Sequence, residues 1–249
     1  MLLAPFEGRF SEIGYDAYYA TGLALTDNEN PTIELLAIDD GGSISSATAR
    51  VRAIRKDPTV KAIVALGYEA TSLETQQALD GMPMVIVGEW LTAPLTDSVF
   101  MLSSAELEKQ FTVLGVDIVS EVTSPDSISI GGDVFAMRQF PLLNPTYQEI
   151  TIASSASLPD DEFRNHFMSS GQYVQEPGLL ATLTYDAAGM ILEAMHTTDM
   201  ATALASTSFQ GLNGTIRFEN GYWTHAPIHY FTYDSNGKLL AIDRPVEQR

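Results

Sequence analysis

Two short stretches hold the residue types best suited to gripping a small polar molecule. The first is Gly67-Tyr68-Glu69-Ala70-Thr71-Ser72-Leu73-Glu74. Thr71 and Glu74 stand at capping-box spacing, so a helix is expected to begin near Thr71 and Ser72. Free backbone N–H groups at such a start, with hydroxyls beside them, can hold a carboxylate. The same spacing is equally met if Thr71 only caps its own helix. The second stretch is Gly88-Glu89-Trp90-Leu91-Thr92-Ala93-Pro94-Leu95-Thr96. It offers Thr92 as a hydroxyl donor and Trp90 as an apolar wall or an ordinary packing residue.

Other chemistries lack a signature. His225 and His229 are four apart, but Pro227 lies between them in a region read as turn and strand, so the zinc-helix reading fails. Absence of cysteine removes disulfides, thiolate metal sites and Cys nucleophiles. No Walker A loop, G-x-G-x-x-G or G-x-S-x-G occurs. Asp160-Asp161 suits a helix N-terminus better than acid/base work, and neighbouring strand-end acids such as Asp39-Asp40 point to opposite faces. The expectation is a protein without catalysis, metal or cofactor.

Thirteen Lys and Arg against 32 Asp and Glu give a formal net charge of −19 over 249 residues. Such a field repels phosphate backbones and anionic lipid, which sets nucleic acid and direct membrane insertion aside. Hydrophobic residues at 45% and charged residues at 18% suit a packed globular chain. No apolar run is long enough to span a bilayer, and no basic segment followed by an apolar one opens the chain. It begins directly in an apolar strand, as expected of a mature protein whose export signal has been removed.

Positioning the two stretches requires an α/β alternation. Residues 1–5 read as a strand, 15–25 as a helix, 33–38 as a strand ending at Asp39 and Asp40, and 47–54 as a helix. Strands at 62–66 and 84–87 then flank a short helix at 72–79. Uniformly apolar strands alternating with helices imply a parallel sheet covered on both faces, with right-handed crossovers gathering the loops after the strands on one edge. A helix follows from Ser103 or Ser104 to about 122, with Leu107, Phe111, Leu114 and Ile118 on one stripe. Strands are expected at 127–130 and 149–153, helices at 160–167 and 179–195. Antiparallel strands at 215–218, 228–233 and 239–242 close the chain, with turns at Asn220-Gly221 and Asn236-Gly237.

Four segments in order resemble the type I periplasmic solute-binding family, typified by the leucine/isoleucine/valine receptors. Ala65-Leu66-Gly67 with Ala70-Thr71-Ser72 is similar to its Gly-x-x-x-Ser-Ser segment, and Thr92-Ala93-Pro94-Leu95-Thr96 to its Thr-x-Pro-x-Leu-Thr. Leu183-Thr184-Tyr185-Asp186-Ala187-Ala188 resembles its Tyr-Asp-Ala helix, and Phe209 to Phe218 its Phe-x-Gly-x-x-Gly-x-x-x-Phe ending. The resemblance implies that Ser72 and Thr92 bind a ligand carboxylate, while Trp90 offers its carbonyl to an amino group. Gly131-Gly132-Asp133 stands where the opposite lobe supplies an aromatic, which makes Asp133 a candidate ammonium partner or a solvated acid. Ser154 or Ser155 occupies the place of the family acid. The interval between Thr96 and Ser127 lacks about one βαβ passage of the usual second lobe.

The resemblance implies a two-lobed type I periplasmic-binding-protein-like α/β fold with parallel sheets flanked by helices and a reduced second lobe. Lobe 1 is drawn from residues 1–97 plus about 177–213, lobe 2 from about 98–176 plus 214–249. The implied function is that of an ABC-transporter substrate-binding component, binding an amino acid or similar small polar ligand between the lobes. Thr71, Ser72, Trp90, Thr92, Asp133, Ser155 and Tyr185 are its candidate ligand-binding residues. The implied location is periplasmic or extracellular, with a membrane permease as protein partner and any membrane anchor outside these residues. The alternative is a degenerate binding or sensory module whose reduced lobe makes protein contacts.

Overall fold

The computed structural model describes residues 1–28, 32–107, 109, 129–143 and 150–243. Its first strands are β1 (Leu2–Ala4), β2 (Ala37–Asp39), β3 (Ile63–Ala65), β4 (Met84–Val87) and β5 (Val99–Leu102). The side chains of β1, β3, β4 and β5 are all buried, as two covered faces demand. These five strands run parallel in the order β2-β1-β3-β4-β5. That is a doubly wound order with its switch point between β1 and β3, where a crevice opens at the carboxyl ends.

Helices α1 (Ser11–Asp27), α2 (Ile44–Ile54), α3 (Tyr68–Thr71) and α4 (Leu73–Gln77) provide the crossovers. Helix α2 buries Ala47 and Val51 on the expected face and starts at Ser43, whose side chain accepts the Ser46 amide. The expected strand at 33–38 shrinks to β2, because Leu36 and its neighbours are only partly covered at this edge of the sheet. The helix expected at 72–79 is α4, and a further short helix, α3, precedes it. They part at Ser72, whose backbone is extended at φ −57° and ψ 157°.

Beyond Ser103 the chain enters a second sheet. Strands β6 (Ser129–Gly131) and β7 (Ile150–Ser154) are parallel, and after α5 (Phe140–Leu143), α6 (Asp161–Ser169), α7 (Ala181–Ala194) and α8 (Met200–Ser206) come the remaining strands. Strands β8 (Phe209–Gly211) and β9 (Gly214–Ile216) form a hairpin. Strands β10 (Phe218–Glu219) and β11 (Tyr222–Trp223) follow, then β12 (His229–Tyr233) and β13 (Leu239–Ile242). The second sheet has the order β13-β12-β7-β6. Of the helix stripe expected after Ser104, Leu107 is buried, whereas Phe111, Leu114 and Ile118 fall outside the described residues.

The lobe boundaries drawn from the sequence move. Strand β5 pairs with β4 along its whole length, and β11 joins β5 on the far side, so 99–102 and 218–223 belong to the first sheet. The reason is local: β5 is apolar throughout and fits only a fully covered position. Among the described residues the first sheet thus has seven strands and the second four.

Candidate functional site

Extending the strand registers places Asp40, Pro5, Gly67 and Gly88 side by side, just beyond the carboxyl ends of β2, β1, β3 and β4. Opposite them stand the carboxyl ends of β6 and β7, where the same extension sets Asp133 beside Ser154. The loops that follow the strands of both sheets therefore meet across one crevice, which right-handed crossovers require.

Asp133 bridges the crevice. It is 2% exposed, and its Oδ2 accepts the Glu89 backbone N–H at 2.8 Å. Its Oδ1 has no hydrogen-bond partner among the described residues. Burial pushes the carboxyl up to about 6, while the Ser154 hydroxyl and the Glu89 amide favour the ionised form. A side chain at Gly88 would meet this carboxylate, since a Cβ there would lie 2.8 Å from Oδ2. Gly88 also has φ +84°. Glycine is required at that position on both counts.

Glu89 is equally buried at 2% exposure. Its Oε1 accepts the Leu91 N–H at 2.8 Å, and the Ser103 hydroxyl reaches its Oε2 at 3.4 Å. Leu91 adopts φ +60°, a left-handed conformation costly for a residue with a Cβ. The hydrogen bond from the Leu91 amide to Glu89 helps to hold this strained turn, with Glu89 facing inward. Trp90 is buried, donates its indole N–H to the Val87 carbonyl at 2.7 Å and meets Tyr68 edge-on at 5.3 Å between ring centroids. Phe10 extends this aromatic wall, 6.1 Å from Tyr68. Tyr68 is raised above its ordinary value by burial first, then by the charges of Asp133, Glu89 and Glu69.

The candidate hydroxyls are engaged locally. The Thr71 hydroxyl donates to the Gly67 carbonyl at 2.8 Å, so Thr71 ends α3 and does not cap the helix after it. That cap belongs to Ser72, one residue later: its Oγ accepts the Thr75 amide at 3.3 Å and lies within donating range of the Glu69 carbonyl and the Thr75 hydroxyl. The Thr92 hydroxyl turns to the Trp90 carbonyl at 3.4 Å. Ser155 is buried and accepts the Ser104 amide at 3.1 Å, tying together two of the segments that cross between the sheets.

Tyr185 sits elsewhere. Its hydroxyl donates to Asp27 at 2.8 Å, and its ring meets Phe163 edge-on. Asp27 closes α1, about 24 Å along the helix from the end that faces the crevice. The resemblance had pointed to Tyr185 as a ligand contact, but α7 presents it to the opposite end of the α1 layer. Burial and Asp27 push its phenol up to about 12.

A clasp between the lobes has no motif in the sequence to mark it. Glu12 accepts the backbone N–H of Arg138 at 2.6 Å and of Gln139 at 3.2 Å, and the Arg138 side chain lies 3.3 Å from the same carboxylate. Arg138 Nη2 is bonded to Asp16 at 3.0 Å, and Asp16 also accepts the Gly178 amide at 2.9 Å. No short motif announces such a contact, because its partners lie 122 to 162 residues apart. Among the described residues no group of three or more His, Cys, Asp or Glu could hold a metal. Among the same residues no helix is long and apolar enough to cross a membrane.

No family model and no curated protein matches the sequence. Solved structures match closely in shape. An extracellular ligand binding receptor from Desulfohalobium retbaense aligns at TM-score 0.76 and 14% identity, over 97% of this chain and 59% of that one. This chain therefore spans well under two thirds of that receptor. The branched-chain amino acid transporter substrate binding protein LivJ of Streptococcus pneumoniae, in complex with isoleucine, aligns at 0.69 and 15% identity over 96% and 97% of the two chains. A solute binding protein of an ABC transporter from R. palustris, in complex with benzoate, aligns at 0.69 and 12% identity over 97% and 94%. The chain has the two-lobed α/β fold of the type I periplasmic binding proteins, with a reduced second lobe.

Proposed function

We propose that this chain is an extracytoplasmic solute-binding protein that takes an amino acid or similar small polar ligand between its lobes and hands it to a membrane permease. Asp133 carries the reading. A lobe 2 carboxylate, buried at the crevice, gives Oδ2 to a lobe 1 amide and is supported by the Ser154 hydroxyl, while its Oδ1 has no hydrogen-bond partner among the described residues. A buried charge with an empty coordination position is costly, and a ligand bringing a donor offsets that cost. Thr92 and the Trp90 carbonyl lie on the loop that carries Glu89, within the same crevice wall. The likeness to substrate-binding proteins supports this reading through the fold. Binding both lobes only when they meet would shift an open and closed equilibrium, as the fold permits.

A second reading, the interaction module, draws support from one feature of lobe 2. Leu142 and Leu143 in α5 are 85% and 64% exposed. A thermal-shift screen of the folded protein against amino acids, amines and organic acids separates the two. A saturable rise with one chemical class, lost in Asp133→Asn, supports the receptor. No rise with any compound overturns it in favour of the module.

A further inference from the structure

The crevice is furnished for positive charge and poorly for negative. Asp133 Oδ1 is a buried acceptor without a hydrogen-bond partner among the described residues. The charges of Asp133, Glu89 and Glu69 all help to raise the Tyr68 phenol, after burial, so the potential at this ring is negative. Tyr68 remains partly exposed, with Trp90 packed against it, and aromatic faces attract cations. Arg9, the opposing charge near this ring, is exposed and sits 5.6 Å over Phe10.

The groups that would hold a carboxylate are committed. Ser72 Oγ caps α4, the Thr71 hydroxyl faces Gly67, and Ser155 Oγ holds the Ser104 amide. Arg138 Nη1 has no hydrogen-bond partner among the described residues, but Glu12 and Asp16 flank the guanidinium. One cation between two carboxylates is a net negative cluster, which repels a third. The chain's net charge of −19 adds a field that gathers cations and disperses anions.

We propose that the crevice takes a small organic amine lacking a carboxylate, its ammonium group donating to Asp133 Oδ1 and facing the Tyr68 ring. This rests on the solute-binding reading and narrows it from amino acids to amines. Access to the acid comes from parting the Glu12 to Arg138 clasp, because Asp133 and Glu89 are closed off from solvent.

The test is a thermal-shift and calorimetric comparison of n-butylamine, tyramine and putrescine with leucine, glutamate, butyrate and benzoate. The expected result is a saturable rise of about 5–10 °C for at least one amine at roughly a hundredfold excess over its Kd. Carboxylates and amino acids leave the melting curve unmoved. Asp133→Asn abolishes the amine response while still melting cooperatively, and Tyr68→Leu weakens it at least tenfold. Stabilisation by amino acids or carboxylates but by no amine overturns the amine proposal and leaves the solute-binding reading standing. An amine response unchanged in Asp133→Asn places the ligand elsewhere and also overturns it. Silence from every compound removes both readings together.

Discussion

Arg138 and Glu12 join the two lobes through the side chain and the backbone of the same residue: Glu12 Oε1 takes the Arg138 amide at 2.6 Å and lies 3.3 Å from its Nε. Hydrogen bonds to a charged acceptor contribute about 1.5–3 kcal/mol each where shielded, and Glu12 is largely shielded, with its side chain 14% exposed. Glu12→Ala therefore loses about 2–3 kcal/mol and leaves two amides unpartnered. Small-angle scattering of this variant should show a larger radius of gyration than the wild type. An unchanged radius with the same loss of stability would mean that the clasp stabilises lobe 2 without holding the crevice shut.

Asp133 makes stability depend on pH. Its carboxyl rises from 3.8 to about 6 on folding, burial being the cause, so the folded state holds the proton more tightly than the unfolded. Its contribution grows as pH falls through about 6 and levels off near the unfolded value of 3.8. A shift of this size corresponds to about 2–3 kcal/mol. Asp133→Asn keeps an acceptor for the Glu89 amide and removes the charge. It should raise the ligand-free melting temperature at pH 7.5 and have little effect at pH 4.5. Melting curves in which the variant and wild type differ equally at both pH values would sink this account. A stabilised variant that no longer binds is the expected outcome for a residue kept for its ligand.

Legibility followed covalent nearness. Strand β4 is legible at its observed bounds because Met84-Val85-Ile86-Val87 is an unbroken apolar run between Pro83 and Gly88. Asp160 marked the start of α6 through its own side chain, which accepts the Phe163 amide. Strand β5 escaped notice since Val99 to Leu102 follows a loop rich in polar residues and carries no turn signal of its own. The site is legible in part: Trp90 and Thr92 follow β4, as strand-end logic places them, and Asp133, which only the resemblance picked out, follows β6. Tyr185 was misplaced because a helical motif gives a face but not which end of the layer it serves. The hydroxyls of Thr71 and Ser72 face inward because the break between α3 and α4, invisible in the residue types, reassigns the cap by one position.

Gly88 tests the fit of the two lobes from the other side. A Cβ at this position would stand 2.8 Å from Asp133 Oδ2 and 3.2 Å from Leu180, on a backbone at φ +84°. Gly88→Ala should cost about 1–3 kcal/mol from backbone strain alone. The added methyl also pushes Asp133 from the Glu89 amide, so ligand response should fall with stability. Combining it with Asp133→Ala, which clears the space, should recover part of the loss. Strict additivity of the two changes would show that the contact is not the source of the strain.

Ser72 separates structure from inherited expectation. The resemblance assigns its hydroxyl to a ligand carboxylate, yet here it caps α4 by accepting the Thr75 amide and lies within donating range of the Glu69 carbonyl. Loss of an N-cap of this kind costs about 1 kcal/mol, which for a chain of this length lowers the melting temperature by about 2–4 °C. Ser72→Ala should show that loss while leaving the Kd for any amine ligand within about twofold of wild type, a change below 0.5 kcal/mol. Ser72→Asp, which retains a capping acceptor, should restore stability and add a further carboxylate near the crevice, tightening a cation and weakening an anion. If Ser72→Ala instead abolishes binding with its melting temperature intact, the hydroxyl contacts the ligand directly, and the open form of the crevice must release it from the helix it caps here.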